Sequence, residues 1–477
     1  MEDADNGCPE RIPSTSIDRF MSLGNDFMDG QVRILVYFDG HVDEARLEDA
    51  VRLTLVASPW LAYRYVDNGL RPYWQRVDER DRWPIFHMVV CPLSDPRFYN
   101  FITEPVLPEN SPQVKVGLFR WENDVLSIRA NHMALDGGGA VRYLSLLASI
   151  YRGLGKDPHH IPERSTVGRP GPLRVLKEMG LLSAIRALPH IGLPGRSWGI
   201  PRTGGNDDRG TFTVTQLSPE RLNFVREYAR KRNVTVNDVL LTSFCRSLFE
   251  ICDPPWGERL MVEVPVNLRK HLPRFQADVI GDLSAIYLLN IERLESETFV
   301  QTLDRVHRQL EDKKKNRVEL AEMVLLELLM LPGPWLLRKI KGVVGFKTAH
   351  PVISNLGVID PKDMDFEGPE IKDIHFIGPL LYPPNIGIGI YTFRGRLNVS
   401  LSYPRSTVDD LTIGRFLDLF LKEVPGPAEI PSDRGRPSDE HHEMKGGQTV
   451  PSVKVICISP PTHLAPGTTL VPLPRSP

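Results

Sequence analysis

The stretch "SIRANHMALDGGGAVRYL", residues 127–144, sets a histidine and an aspartate four residues apart and follows them with three glycines. A neutral imidazole, with a pKa of ~6.5, takes up a proton at neutral pH as few other side chains do. At the end of a strand, His132 projects from a rigid element, which is the placement of a general base. Asp136 cannot share a helix face with it, since the strand end and the glycines imply a tight turn; its expected task is to pin that turn through an ion pair. Gly137, Gly138 and Gly139 let the backbone pass close to a ligand. The N–H groups at the start of the next helix, those of Gly137 and Gly138 first, could hold developing negative charge. An H-x-x-x-D pattern alone is short, and a histidine after a strand can also serve only to cap it.

The elements that must hold these residues read as α/β. "QVRILVYFDG" alternates Val32, Ile34, Val36 and Phe38, a strand with one buried side. Asp43 caps a helix whose stripe is Leu47, Ala50, Val51, Thr54 and Leu55. "VKVGLFRW" and "VLSIRAN" form a hairpin that delivers His132, and "GGAVRYLSLLASIYRGL" is the helix after it. These make a first lobe over residues 1–152. A Pro-, Gly- and charge-rich crossover follows over 153–210. A second α/β lobe, 211–425, opens with "TFTVTQL" and a helix capped by Ser218 with Pro219 at its first position. Residues 426–477 are rich in Pro, Gly and Ser and are expected to be disordered.

Composition narrows the function. The 477 residues are 41% hydrophobic and 25% charged, with a net charge of −2, which argues against nucleic acid as a partner. Five scattered cysteines with no C-x-x-C pair fit a reducing compartment and no structural metal. With no signal-peptide pattern at the N-terminus and no run of ~18 apolar residues, the expectation is a soluble, cytoplasmic protein. No G-x-S-x-G elbow, Walker A loop, H-E-x-x-H or strand-linked G-x-G-x-x-G occurs.

"NHMALDGGG" resembles the H-H-x-x-x-D-G motif of the condensation-domain superfamily of acyltransferases. That group includes nonribosomal peptide synthetase condensation domains, plant BAHD acyltransferases, wax ester synthases and alcohol acetyltransferases. His132 matches the second, catalytic histidine, Asp136 and Gly137 match the D-G, and Asn131 replaces the first histidine, as in BAHD-type members that keep only one. "NVTVNDVLLTSFCRSL" is similar to the family's buried helix, "VPVNLRK" with "IGDLSAIYLLNI" to its strand–Arg–loop–strand stretch, and "VISNLGVID" to the S-N-x-G strand end of wax ester synthases. The likeness runs from about residue 15 to residue 424.

The resemblance implies two chloramphenicol-acetyltransferase-like α/β sandwich lobes with an interlobe tunnel, donor and acceptor meeting at His132. It implies a structural ion pair between Asp136 and an arginine, for which Arg269 is the candidate. It also implies transfer of an acyl group from a thioester to a hydroxyl or amine, with acyl-CoA or a phosphopantetheine-linked donor as co-substrate and no other cofactor. An acyl-carrier protein is then a conceivable partner. Ser354 and Asn355 either approach the oxyanion from the second lobe or merely end a strand. Alternatives are a stand-alone peptide-condensation enzyme and a catalytically silent relative that binds lipid or carrier protein. Finally, "MVLLELLMLPGPWLLRKIKG" joins an apolar helix to a basic cluster, Arg338, Lys339 and Lys341. The favoured expectation is a core helix with a solvated basic end; the other is an acyl tunnel or a weak membrane-surface contact.

Overall fold

The computed structural model describes residues 8–24, 28–165, 171–191, 198–202, 204, 210–273, 278–344, 350–426 and 454–459. In chain order the first lobe contains β1 (Arg11–Pro13), α1 (Ser16–Met21), β2 (Gln31–Asp39), α2 (Glu44–Ala57), β3 (Tyr63–Val66), β4 (Tyr73–Arg76), β5 (Phe86–Val90), α3 (Pro96–Thr103), β6 (Val114–Arg120), β7 (Asp124–Asn131) and α4 (Gly137–Lys156). Two short helices, α5 (Pro172–Met179) and α6 (Leu181–Ala187), lie in the crossover. The second lobe contains β8 (Gly210–Leu217), α7 (Pro219–Lys231), α8 (Val236–Cys252), β9 (Arg259–Asn267), β10 (Ser284–Glu292), α9 (Phe299–Lys315), α10 (Val318–Leu329), α11 (Pro334–Val344) and β11 (Val352–Ile359). The chain ends with β12 (Glu370–Ile377), β13 (Gly387–Phe393), β14 (Arg396–Pro404), α12 (Asp410–Glu423) and β15 (Lys454–Ile458).

Capping residues start these helices where the sequence places them. Asp43 accepts from the Arg46 N–H, and Ser218 from the Arg221 N–H with Pro219 behind it. Thr235 and Asp238 close a reciprocal capping box on α8. No described helix is long and apolar enough to cross a membrane.

The first sheet has the order β12-β2-β7-β6-β5, the second β10-β9-β11-β13-β14-β8-β15. Helices α2 and α4 pack on one face of the first sheet, over Val32, Ile34, Val36 and Phe38 of β2. The other face of β2 is buried as well: Leu35 joins Phe98, Ile102 and Phe212, and the Arg33 side chain is buried over the Phe212 ring. A strand with one wet side was expected; here the second lobe leans on that side. In the second lobe α7, α8, α9 and α12 bury their apolar faces on one side of the larger sheet, around Leu240, Phe244, Leu303 and Phe416.

Three boundaries differ from the sequence expectation. Helix α4 runs on to Lys156, past residue 152. Strand β12 leaves the 211–425 segment to pair antiparallel with β2, so the first sheet is completed by residues more than 300 positions downstream. Its Ile371, Ile374 and Phe376 belong to the first lobe's core. Within 426–477, β15 pairs antiparallel with β8 and extends the second sheet; the rest of that segment lies outside the described residues, apart from its first residue and Ser459. The short β-branched run "VKVICI" is a strand signal that the surrounding proline and glycine obscure.

The apolar helix is not core throughout. Val318, Leu320, Ala321 and Met323 of α10 are buried, but Leu325, Leu328, Leu329 and Leu331 are exposed. The chain breaks at Pro332-Gly333-Pro334, and Gly333, at φ +83°, sits against the Gly69–Leu70 backbone of the first lobe. The Lys341 side chain lies outside the described residues.

Candidate active site

The hairpin β6–β7 carries His132 one residue past its second strand, and the His132 N–H donates to the Gly30 carbonyl (2.8 Å). Asn131, at the place of the motif's first histidine, is buried and structural. Its Nδ2 donates to the Val106 carbonyl (2.7 Å), and its Oδ1 accepts from the Met133 N–H (2.9 Å). The turn that aims His132 is therefore fixed on both sides of the strand end.

Asp136 is the N-cap of α4. One carboxylate oxygen accepts from the Gly139 N–H (2.6 Å). The other accepts from Arg269 (2.8 Å) and from the Leu283 N–H (3.0 Å) of the second lobe. The Asp136 N–H donates to the Gly281 carbonyl (3.2 Å). Burial works against the Asp136 charge, yet Arg269 and these N–H donors hold its pKa below the usual carboxylate range. Arg269 is itself buried and reaches the Val279 and Gly281 carbonyls (3.2 and 2.7 Å). The expected pair is present, and it ties the lobes together rather than pinning the turn alone.

The three glycines lie against the second lobe. A Cβ on Gly137 would lie 2.4 Å from Leu356 Cδ2, and one on Gly138 2.9 Å from the Arg269 guanidinium. At Gly139 it would lie 2.7 Å from the Gly281 carbonyl oxygen, which is backbone and cannot step aside. Asp136 takes the Gly139 N–H with its side chain and the Ala140 N–H with its carbonyl. The Gly137 and Gly138 amides belong to the first turn, which has no intrahelical partner for them.

One residue at the site was not singled out in the sequence. Asp282, in "IGDLS", comes from the second lobe and places Oδ2 3.6 Å from His132 Nδ1. Its other oxygen accepts from the Ser284 hydroxyl and N–H (2.6 and 3.2 Å), which fixes the carboxylate's orientation. Nδ1 is buried, while the His132 side chain keeps 19% of its surface accessible, so the open edge is the one away from Asp282. Burial depresses the imidazole's pKa, but Asp282 and Asp136 outweigh it and the net shift is upward. The available signal was one acid in an otherwise apolar "VIGDLSAIYLL"; its partner stands 150 positions earlier, which no local pattern reveals.

Ser354 and Asn355 lie on β11, whose Leu356 meets Gly137. Asn355 is exposed; its Nδ2 donates to Asn237 of α8 (3.2 Å) and its Oδ1 accepts from the Gly357 N–H (2.8 Å). These bonds shape an irregularity within β11, where the β11–β13 register shifts and Gly357 takes φ +77°. On β9, Glu263 alternates with core-facing Val262 and Val264, which puts it on the same side as Asn267, the neighbour of Gly138. Burial pushes the Glu263 carboxyl up to about 8.

Comparison with known proteins places the fold. Residues 282–422 match the family model described as WS/DGAT C-terminal domain. The first condensation domain of the calcium-dependent antibiotic synthetase superposes with a TM-score of 0.67 at 16% identity, over 87% of this chain and 95% of that one. The chain has the condensation-domain fold. Polyketide synthase associated protein 5 from Mycobacterium tuberculosis superposes with a TM-score of 0.60 at 15% identity, over 89% and 98% of the two chains. The starter condensation domain of rhizomide synthetase, in a complex with C8-CoA, gives 0.65 at 13% identity, over 86% and 93%. In sequence, the uncharacterized protein Rv2305 of Mycobacterium tuberculosis (strain ATCC 25618 / H37Rv) is 23% identical over 432 residues, 85% of this chain and 97% of the relative.

Proposed function

We propose that this condensation-fold protein is an acyltransferase that moves an acyl group from a thioester, acyl-CoA or acyl-phosphopantetheine, to a hydroxyl or amine. The observation that carries the reading is His132: a partly accessible ring at the junction of two lobes, its Nδ1 turned to a fixed carboxylate, Asp282. An imidazole held this way presents Nε2 to a substrate, and the carboxylate stabilises the imidazolium once a proton arrives.

In the proposed reaction, Nε2 takes the acceptor's proton as its oxygen or nitrogen adds to the thioester carbonyl. The tetrahedral intermediate places negative charge on the former carbonyl oxygen, for which the Gly137 and Gly138 amides are the proposed donors. Collapse breaks the C–S bond, and the imidazolium returns its proton to the departing sulfur. General base catalysis contributes ~10²–10⁴-fold and each oxyanion donor ~10²–10³-fold. Asp136 and Arg269 touch no reacting atom in this scheme; they hold the two lobes in register around it.

The test is to incubate the full chain with a panel of acyl thioesters and alcohol or amine acceptors, following free thiol and product by mass spectrometry. The reading expects thiol release that depends on acceptor and yields an ester or amide of matching mass. Thiol release that ignores the acceptor would mean hydrolysis, and tight thioester binding without release would mean a silent binder.

A further inference from the structure

We infer that the exposed apolar face of helices α6, α10 and α11 is a docking surface for an anionic phospholipid bilayer. Past Met323 the helix α10 emerges from the second lobe and shows Leu325, Leu328 and Leu329 to solvent at i, i+3 and i+4. Leu328 is 59% and Leu331, in the following turn, 69% exposed. Trp335 opens α11 and is half exposed. Helix α6 packs beside α10 and leaves Leu182 70% exposed, with Ile185 one turn further on. Single exposed leucines need no account, whereas a run of them on adjoining helices marks a contact surface.

Charge selects the occupant. Helices α6 and α11 contain basic residues and no acidic one. Arg186 is exposed one turn along α6 from Leu182, and the exposed Lys339 holds its ammonium 4.1 Å from the Trp335 ring centroid. Of the three acids on α10, Glu319 is bound to His271 and Tyr287, Glu327 accepts from Ser16, and the Glu322 carboxylate oxygens are buried. An apolar face with a tryptophan and a cationic margin matches the boundary between acyl chains and anionic headgroups. A second copy of the chain would bring the same positive margin against itself.

Flotation of the full chain with vesicles of phosphatidylcholine, or of phosphatidylcholine mixed with phosphatidylglycerol, tests this without any thioester. It therefore stands apart from the acyl-transfer reading. The wild type is expected to float with the phosphatidylglycerol vesicles and to be released by salt. Leu328→Asp with Leu331→Asp should weaken binding by about tenfold or more, since two leucines lose their apolar burial. Both positions are exposed, so the melting curve should not move. Arg186→Glu with Lys339→Glu should erase the preference for phosphatidylglycerol. Wild type that fails to float, or a double Asp variant that floats as well as wild type, overturns the inference. So does a dimer in sedimentation that the double Asp variant dissolves, because the face would then join two copies.

Discussion

At His132 a balance between burial and two carboxylates sets the pH at which the ring can act as a base. Asp282 supplies the nearer charge, and the net pKa shift is upward. A base works only when unprotonated, so the acidic limb of a kcat/KM profile should lie above the value of a free imidazole. Asp282→Asn removes a raising influence: the limb should move to lower pH, and the plateau should fall about ten- to a hundredfold as orientation is lost. A pH–rate profile checks both, and an unmoved limb would show that Asp282 does not act through the ring. Asp136 has the opposite sign. Its folded pKa is depressed, so its stabilisation is present above the unfolded value of ~3.9 and is lost as pH falls through the folded one. Asp136→Asn should cost about 3–5 kcal/mol at neutral pH, because it leaves Arg269 buried and unpaired. Acid titrations followed by circular dichroism should show wild type losing more stability below pH ~4 than this variant.

At the scale of elements, the junction between β7 and α4 is closed from the other lobe. Gly139→Ala would normally favour a helix by about 1 kcal/mol. Here its methyl meets the Gly281 carbonyl oxygen at 2.7 Å, so a net loss of about 1–3 kcal/mol in urea unfolding is expected. Much of this junction was legible in the sequence. The hairpin and the helix after the glycines stand where periodicity places them, and Asp136 meets Arg269, the candidate that the family resemblance implied. What could not be read is why the glycines are there. A run of small residues before a helix fits a ligand as well as it fits an apposed backbone, and the apposed Gly281 and Leu356 come from sequence more than 100 positions away. The exposed end of α10 was hidden for a related reason: its leucines carry the same pattern in a core as on a docking face.

Across the whole molecule, the lobes share parts that local sequence assigns to one of them. The strand "EIKDIHFI" was not singled out in the sequence, and nothing near it says that it pairs with β2 rather than with the second sheet. Without it, β2 becomes a nine-residue edge and the first lobe's core loses Ile374 and Phe376. Residues 1–209 expressed alone should therefore aggregate or elute as oligomers in gel filtration, since an open, long edge strand invites pairing with another chain. A monomeric, cooperatively folded fragment would contradict that dependence. The site obeys the same logic, with the proposed base His132 from one lobe and the carboxylate of Asp282 from the other. Single-turnover acyl transfer by wild type and His132→Ala, on protein shown to be folded by its melting curve, tests that arrangement most directly. A loss of about a hundredfold or more is predicted; transfer that persists at the wild-type rate would contradict it.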